Sequence, residues 1–458
     1  MPTPTSDVLA PRVFVNGARV PDGAAGYNDP EMPYVLEDLT ISWGRADTLS
    51  QPDATTASFA LIDPRPRPPS AFDPLFRGTL RVGQRVDIDA GDIYDSTNGR
   101  PGVRVFIGQI SDVTASYTGD AVRLDVTAVD VLADLGNRDV GAAPWPTETL
   151  GARFARIMAA GNPYVAYRVA PTVAGVSVSR MDVDRQQALP LLQDLAASTD
   201  AVLWSSIDTV TSVGLEPAVA LEDPAARLAL FALSKPGTYV IIVPITPLPP
   251  GAVNIGPCLP ELYPATWLQT MDNIVTGAVV QWFDQSTAPE ATERNELVRD
   301  AGAESITNVF GVRRVSVNTV LANQADAQRI GGSIVSRLSS PAWSFENVQW
   351  TDDRSEHSVD VTRRVLGASS RHGLPVVIDP LPAFVPVPGV FLGYLEGGSY
   401  GYAGEAWTVQ LNLSSGESYG GAGLRWSDLN VPTSDSWRWQ DFSPSISWGD
   451  LAGVGGVV

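Results

Sequence analysis

Only two histidines occur in the 458 residues, His357 and His372, fifteen apart. Neither sits in a Glu-x-x-His or His-x-x-x-His pattern that would bring two imidazoles to one metal, so both read as surface or hydrogen-bonded side chains. Acyl transfer needs a nucleophile beside a base, yet no Ser/His/Asp order built on a Gly-x-Ser-x-Gly elbow appears. The single cysteine, Cys258, lies between Pro257 and Leu259 without a convincing base. Carboxylates concentrate at Asp87, Asp89, Asp92 and Asp95. A calcium loop of the EF-hand kind wants Asp or Asn at its fifth position and Gly at its sixth; here Gly91 precedes Asp92, which favours an acidic strand-end loop. With 51 acidic residues, nothing singles out a pair for glycoside hydrolysis. The expectation is a chain with no catalytic residue, cofactor or metal, and not an enzyme.

The sharpest local signal is a different kind of chemistry. Trp426-Ser-Asp428-Leu429, Trp439-Gln-Asp441-Phe442 and Trp448-Gly-Asp450-Leu451 repeat Trp-x-Asp-apolar, with Trp437 between the first two. Pro, Ser and Gly around them argue against a regular helix. A docked Trp buries roughly 150–250 Å², so an extended arm this rich in Trp is expected to insert its anchors into a neighbouring subunit or assembly partner. The competing reading folds it back on the last β module of its own chain. Truncation after Ser415 separates the two: if the shortened chain keeps its partners and stability, the docking arm is wrong.

Length makes three or four domains the natural expectation. Charged residues are only 18%, while Gly (41) and Pro (37) abound, which favours strands and turns. The fold class read from this is mainly β with α+β insertions. A formal charge of −20 lacks the basic stripe that phosphate contacts need, so stable nucleic-acid binding is not expected. One cysteine excludes an intrachain disulfide. The N-terminus has no signal-like apolar region, no run of 18 apolar residues appears, and no membrane-spanning segment is expected.

Alternating strands at Leu39–Trp43, Ala57–Leu61, Arg85–Asp89, Val103–Ile107 and Val122–Ala128 mark a first β domain, residues 1–140. In 141–268, a small α+β domain, Thr147 and Asp184 are placed to cap helices, with Pro190 in the first turns of the second. The segment 269–422 reads as a second β domain with an inserted helix at about 323–339, whose Ala327, Ile330, Ile334 and Leu338 share a face. Gly331-Gly332 within it costs ~2 kcal/mol against alanines, which demands close packing there. Residues 423–458 form the arm.

The two β domains echo each other. Gly83 and Val86 recur as Gly373 and Val376; Val105-Phe-Ile-Gly108-Gln-Ile110 as Val390-Phe-Leu-Gly393-Tyr-Leu395; Val122, Leu124 and Val126 as Trp407, Val409 and Leu411. Gly108 to Val122 and Gly393 to Trp407 are both fourteen apart. Two related modules per chain allow three copies to present six quasi-equivalent modules around an axis.

Val105-Phe-Ile-Gly-Gln-Ile-Ser-Asp-Val-Thr114, Val122 to Arg138, and Asp182 to Leu195 with Trp204 resemble tail-hub (minor tail) proteins of long-tailed phages, in particular those infecting actinobacteria. The resemblance covers about residues 35 to 205 and is weaker elsewhere. It implies two tube-like β-barrel modules per chain forming a pseudo-sixfold ring as a homotrimer, at the tail tip of a virion assembled from protein made in the host cytoplasm. The implied partners are the distal tail or tail tube protein, other minor tail and tip proteins and the tape measure protein, and the implied role is a channel for genome exit. The chain departs from longer members in having no appended peptidase, lysozyme or needle domain. A secreted β-rich carbohydrate-binding adhesin is the competing class.

Overall fold

The computed structural model describes residues 9–20, 35–45, 50–63, 80–91, 93, 102–117, 122–211, 214–222, 253–259, 266–268, 274–285, 293–300, 307, 309–339, 344–346, 348–353, 355–367, 373–379, 381 and 391–415. The first β module contains β1 (Pro11–Val15), β2 (Ala18–Val20), β3 (Val35–Gly44), β4 (Thr56–Asp63), β5 (Arg85–Ala90), β6 (Val103–Tyr117) and β7 (Val122–Val129). A mixed region follows with α1 (Val131–Gly136), β8 (Asp139–Trp145), β9 (Glu148–Thr149), α2 (Leu150–Gly161), β10 (Ala166–Val169), α3 (Pro171–Ala174), β11 (Ser177–Val178), β12 (Met181–Gln187), α4 (Ala188–Ala197), β13 (Val202–Thr211) and β14 (Gly214–Glu222). Next come β15 (Val253–Asn254), β16 (Thr266–Leu268), β17 (Gly277–Phe283), β18 (Arg294–Asp300), β19 (Arg314–Asn318) and α5 (Gln324–Leu338). The chain returns to β structure with β20 (Ser344–Glu346), β21 (Val348–Thr351), α6 (Glu356–Leu366), β22 (Pro375–Ile378), β23 (Phe391–Ala403) and β24 (Ala406–Ser415). The protein is mainly β with few helices.

Among the described residues one twelve-stranded sheet runs β15-β22-β23-β3-β4-β7-β6-β5-β1-β2, with β24 on β23 and β21 on β24. Alternation builds it: in β24, Trp407, Val409 and Leu411 are buried while Thr408 and Gln410 turn outward, the period of a half-buried strand. Among the described residues neither module closes into the expected barrel. The ladder β6-β7-β4-β3 does not curl back on itself, because β3 continues onto β23 of the other module.

Two hydrophobic cores result. The first draws on both β modules, packing Val15, Phe59 and Phe106 with Trp350, Leu395 and Trp407. The second joins Leu135, Phe154 and Leu192 to Val280, Trp282, Ile330 and Ile334. The sheet β18-β17-β19 with α5 thus packs with the middle region, so the packing units do not follow the sequence boundary at 268. The reason is α5, whose apolar face lies on β17 and β18. A methyl on Gly331 would stand 3.2 Å from Arg299 Cβ and 3.3 Å from a Val280 methyl, whereas Gly332 meets nothing within 4 Å. Close packing therefore accounts for one glycine of the pair.

Two caps differ from the sequence reading. Thr149, not Thr147, receives the Ala152 amide at the start of α2, and Thr147 instead bonds Gln285 at 2.8 Å. Asp184 lies in β12, and α4 begins at Ala188 without a side-chain cap. Pro190 is the physical reason: it has no N–H to donate and belongs in a first turn.

Candidate assembly interface

The internal echo extends from residue types to hydrogen bonds. Val86 opposes Gly108 across β5 and β6, and Val376 opposes Gly393 across β22 and β23. Gly83 N–H donates to the Ile110 carbonyl, whose own amide donates to Gln84; Gly373 and Leu395 repeat this with Leu374. Gly108 and Gly393 are 285 positions apart, as are the cross-strand pairs Tyr117–Val122 and Tyr402–Trp407. Both ladders break register at matching points, between Ile110 and Asp112 and between Leu395 and Gly397. A bulge that recurs at one offset is a property of a duplicated module, since bulges re-aim a strand and are not interchangeable with regular pairing. The glycines are equivalent too. A methyl on Gly108 would overlap the Val129 carbonyl oxygen and the Phe106 ring, and one on Gly393 would stand 2.7 Å from the Ser414 carbonyl oxygen and 2.6 Å from the Phe391 ring. Val129 and Ser414 are again 285 apart.

The modules are joined edge to edge. Gly397 to Tyr402 of β23 pair antiparallel with Gly44 to Leu39 of β3. The backbones approach so closely that a methyl on Gly44 would overlap Glu396 and Gly397. Beside that contact the Arg45 guanidinium donates to Glu396 at 2.8 Å, with both side chains only 2% exposed. Ser414 Oγ donates to the other Glu396 oxygen at 2.6 Å, Arg45 N–H donates to the Glu396 carbonyl at 2.9 Å, and Asn412 closes on the Arg45 carbonyl at 3.1 Å. Buried charges persist only when paired and hydrogen-bonded, and here Arg45 and Glu396 reach each other across the joint. Trp43 lies under it, with its ring 5.5 Å from Tyr400 and 5.7 Å from Trp204. The Tyr400 hydroxyl donates to the Val365 carbonyl at 2.7 Å.

The described residues with possible chemistry are dispersed. His357 is exposed in the first turn of α6, and His372 lies outside the described residues. Cys258 is half-buried; burial, helped by Asp353 and Asp352, pushes its thiol from 9.0 up to about 11. That is the opposite of an activated nucleophile. Asp87 and Asp89 project from β5 onto Arg104, and Asp87 also onto Arg85. Burial raises the Asp89 carboxyl, opposed by its bond to Arg104. These acids hold strands β5 and β6 together; Asp92 and Asp95 lie outside the described residues, and among those described no three side chains could share a metal ion. A small cleft is lined by Trp145, Arg153, Met181, Asp194 and Val320, with no serine, cysteine, lysine or histidine among its lining residues. Its Arg153 is spent on Glu148 at 2.6 Å and on the Ser179 carbonyl at 2.9 Å. Among the described residues no helix is long and apolar enough to cross a membrane. The anchors Trp426, Asp428, Leu429, Trp437, Trp439, Asp441, Phe442, Trp448, Asp450 and Leu451 all lie outside the described residues.

Sequence reasoning missed the Arg45–Glu396 pair, because the partners are 351 positions apart and each looks like an ordinary surface charge. The available signal was the echo itself: Ser111 occupies the position 285 before Glu396, so one copy has a small hydroxyl where the other has a carboxylate.

No protein-family model matches the chain, and no curated protein matches it. Solved structures do. The 43 kDa tail protein of prophage MuSo2 from Shewanella oneidensis is 12% identical, superimposes with a TM-score of 0.52, and covers 89% of this chain and 99% of its own. A tail protein from Neisseria meningitidis MC58 is 13% identical with a TM-score of 0.52, covering 90% of this chain and 98% of its own. The chain is similar to both over nearly its whole length, and what it shares with them is the fold.

Proposed function

We propose that this chain is a structural hub protein of a phage tail, three copies of which form a pseudo-sixfold ring that joins the tail tube to the distal tip and encloses the channel for genome exit. The observation that carries the reading is the duplicated module with its edge-to-edge joint. A protein that already sets two copies of one β ladder side by side needs only repetition of that step to build a ring. The likeness to two tail proteins over nearly the whole chain supports the same reading. The tube protein, other tip proteins and the tape measure are the partners this role requires, and the Trp-x-Asp arm of residues 423–458 is the means of attachment.

Cryo-electron microscopy of virions carrying a tagged chain tests this. Density for the tag on the tail axis at the distal end of the tube, with threefold symmetry, is expected. Density off the axis, or on side fibres, would sink the proposal. An arm truncated after Ser415 is expected to leave the folded body intact and to lose the tip partners.

A further inference from the structure

The repeat identifies counterparts for strands that sequence alone could not align. Phe59 and Leu61 of β4 oppose Val126 and Leu124 of β7, while Val348 and Trp350 of β21 oppose Leu411 and Val409 of β24. Since Val126 and Leu411, like Leu124 and Val409, are 285 apart, β21 stands where β4 stands, and β20 precedes it in the same line. β4 pairs antiparallel with β3, Thr56 opposite Ser42. β20 pairs antiparallel with β16, Phe345 opposite Trp267. By this geometry β16 is the second module's β3.

β3 has a second edge, and it is used: it holds the outer half of β23, with Ser399 opposite Ser42 and Tyr400 opposite Ile41. Shifted by 285, that half of β23 corresponds to Asp112–Tyr117 of β6. There the two modules differ. Ladder pairing of β5 with β6 stops at Gln109, and among the described residues no strand pairs with Asp112–Ser116 on the side away from β7. Asp112, Thr114, Ala115 and Ser116 are exposed, where Gly397 and Tyr400 are buried. β16, for its part, pairs only with β20 among the described strands. β16, which pairs with β20, and the outer half of β6 in the twelve-stranded sheet thus each present an open edge among the described strands, each the counterpart of one face of a joint already made inside the chain.

We propose that β16 of one copy adds antiparallel to the outer half of β6 of a second copy, repeating between chains the joint that β3 and β23 make within one. The internal register carries over to Thr114 opposite Trp267 of the partner subunit and Ala115 opposite Thr266 of the partner subunit. Edge pairing supplies main-chain hydrogen bonds while the side chains set register, and it removes the exposed edge that otherwise invites unspecific pairing. The contact is head-to-tail, so it closes into a ring if successive rotations complete a turn. This deepens the ring proposed above and rests on it for the number of copies; the joint itself rests on the repeat.

Cysteine pairing tests the joint in the full chain, using Cys258→Ser as a cysteine-free background. Ala115→Cys with Thr266→Cys, gently oxidised, is expected to give covalent dimers and trimers on a non-reducing gel, with neither single variant doing so. Thr114→Cys with Trp267→Cys provides a second reading one residue along. Light scattering before oxidation gives the number of copies. A trimer that neither pair cross-links overturns this joint and leaves the ring standing. A chain that stays monomeric at every concentration and gives no cross-link overturns both.

Discussion

In the second β module the outer half of β23 runs between β24 and β3, and Gly397 and Tyr400 are buried there. In the first, the matching half of β6 has β7 on one side and is exposed at Asp112 and from Thr114 to Ser116. The β6–β7 and β23–β24 ladders share their register, their bulge and a glycine under a carbonyl. Along this half of the two strands the copies are distinguished by the edge each has closed, and by the chemistry placed there. At Glu396 the closed edge carries a carboxylate buried against Arg45; at the matching Ser111 the other copy has an exposed hydroxyl bonded to the Thr127 carbonyl at 3.1 Å.

The largest expected effect breaks that asymmetry. Glu396→Ala strands the Arg45 guanidinium in a site 2% exposed, and leaving a buried charge without its partner costs about 3–5 kcal/mol. Ser111→Ala removes one exposed hydrogen bond and is expected within about 0.5 kcal/mol of the parent. Urea unfolding of the two variants measures both, and equal losses would mean that the edges are not differently built. A smaller effect tests the sameness of the modules. Gly108→Ala and Gly393→Ala each press a methyl on a ladder carbonyl and a Phe ring, with an expected cost of about 1–3 kcal/mol apiece. The two losses should match within error, and a double variant should lose close to their sum, as distant sites do.

Much of this frame is legible in the sequence, and the reasons are local. Alternation in β24 and the fixed interval from Gly108 to Val122 and Gly393 to Trp407 follow from the two-residue period of a strand, which a sequence displays directly. The helix at Gln324–Leu338 announces itself by the spacing of Ala327, Ile330, Ile334 and Leu338. The rest depends on partners distant in the chain. Nothing near Gly44 tells that Glu396 and Gly397 will press on it, and nothing near Val280 tells that α5 will cover it and draw β17 into the middle core. β16 offers only three residues, Thr266 to Leu268, too short for a period; it becomes readable as β3's counterpart once the register of β20 and β4 is known. Caps fall between these cases. Asn323 is a good cap in an open loop and accepts the Asp326 amide at 2.8 Å, whereas Thr147 and Thr149 compete two residues apart and tertiary contact with Gln285 decides.

Asn323 also serves as a reference outside the repeat. Asn323→Ala is expected to cost about 1 kcal/mol by removing a cap, with urea midpoints as the measure, and to leave the cross-link between Ala115→Cys and Thr266→Cys unchanged. A loss of cross-linking in that variant would tie the edge joint to the middle core, against the independence that two separate hydrophobic clusters imply.

The smallest effect is kinetic and reads the second module alone. Cys258 packs at the border of the first core, and its thiol stands at about 11 against an ordinary 9.0 because of burial and the nearby Asp353 and Asp352. Two pH units of displacement leave roughly a hundredfold less thiolate at neutral pH, so an aromatic disulfide reagent should modify Cys258 about a hundredfold more slowly than free cysteine. The sign of the linkage follows. The raised value means that the folded state favours the neutral thiol, a contribution fully present below 9.0 and lost as pH rises towards about 11. Glu396→Ala loosens the joint in the module where Cys258 lies and should speed its modification through local opening, while Ser111→Ala in the other module should not. Equal acceleration by both would show that the two modules open as one unit, and that the single sheet couples what the repeat has kept chemically distinct.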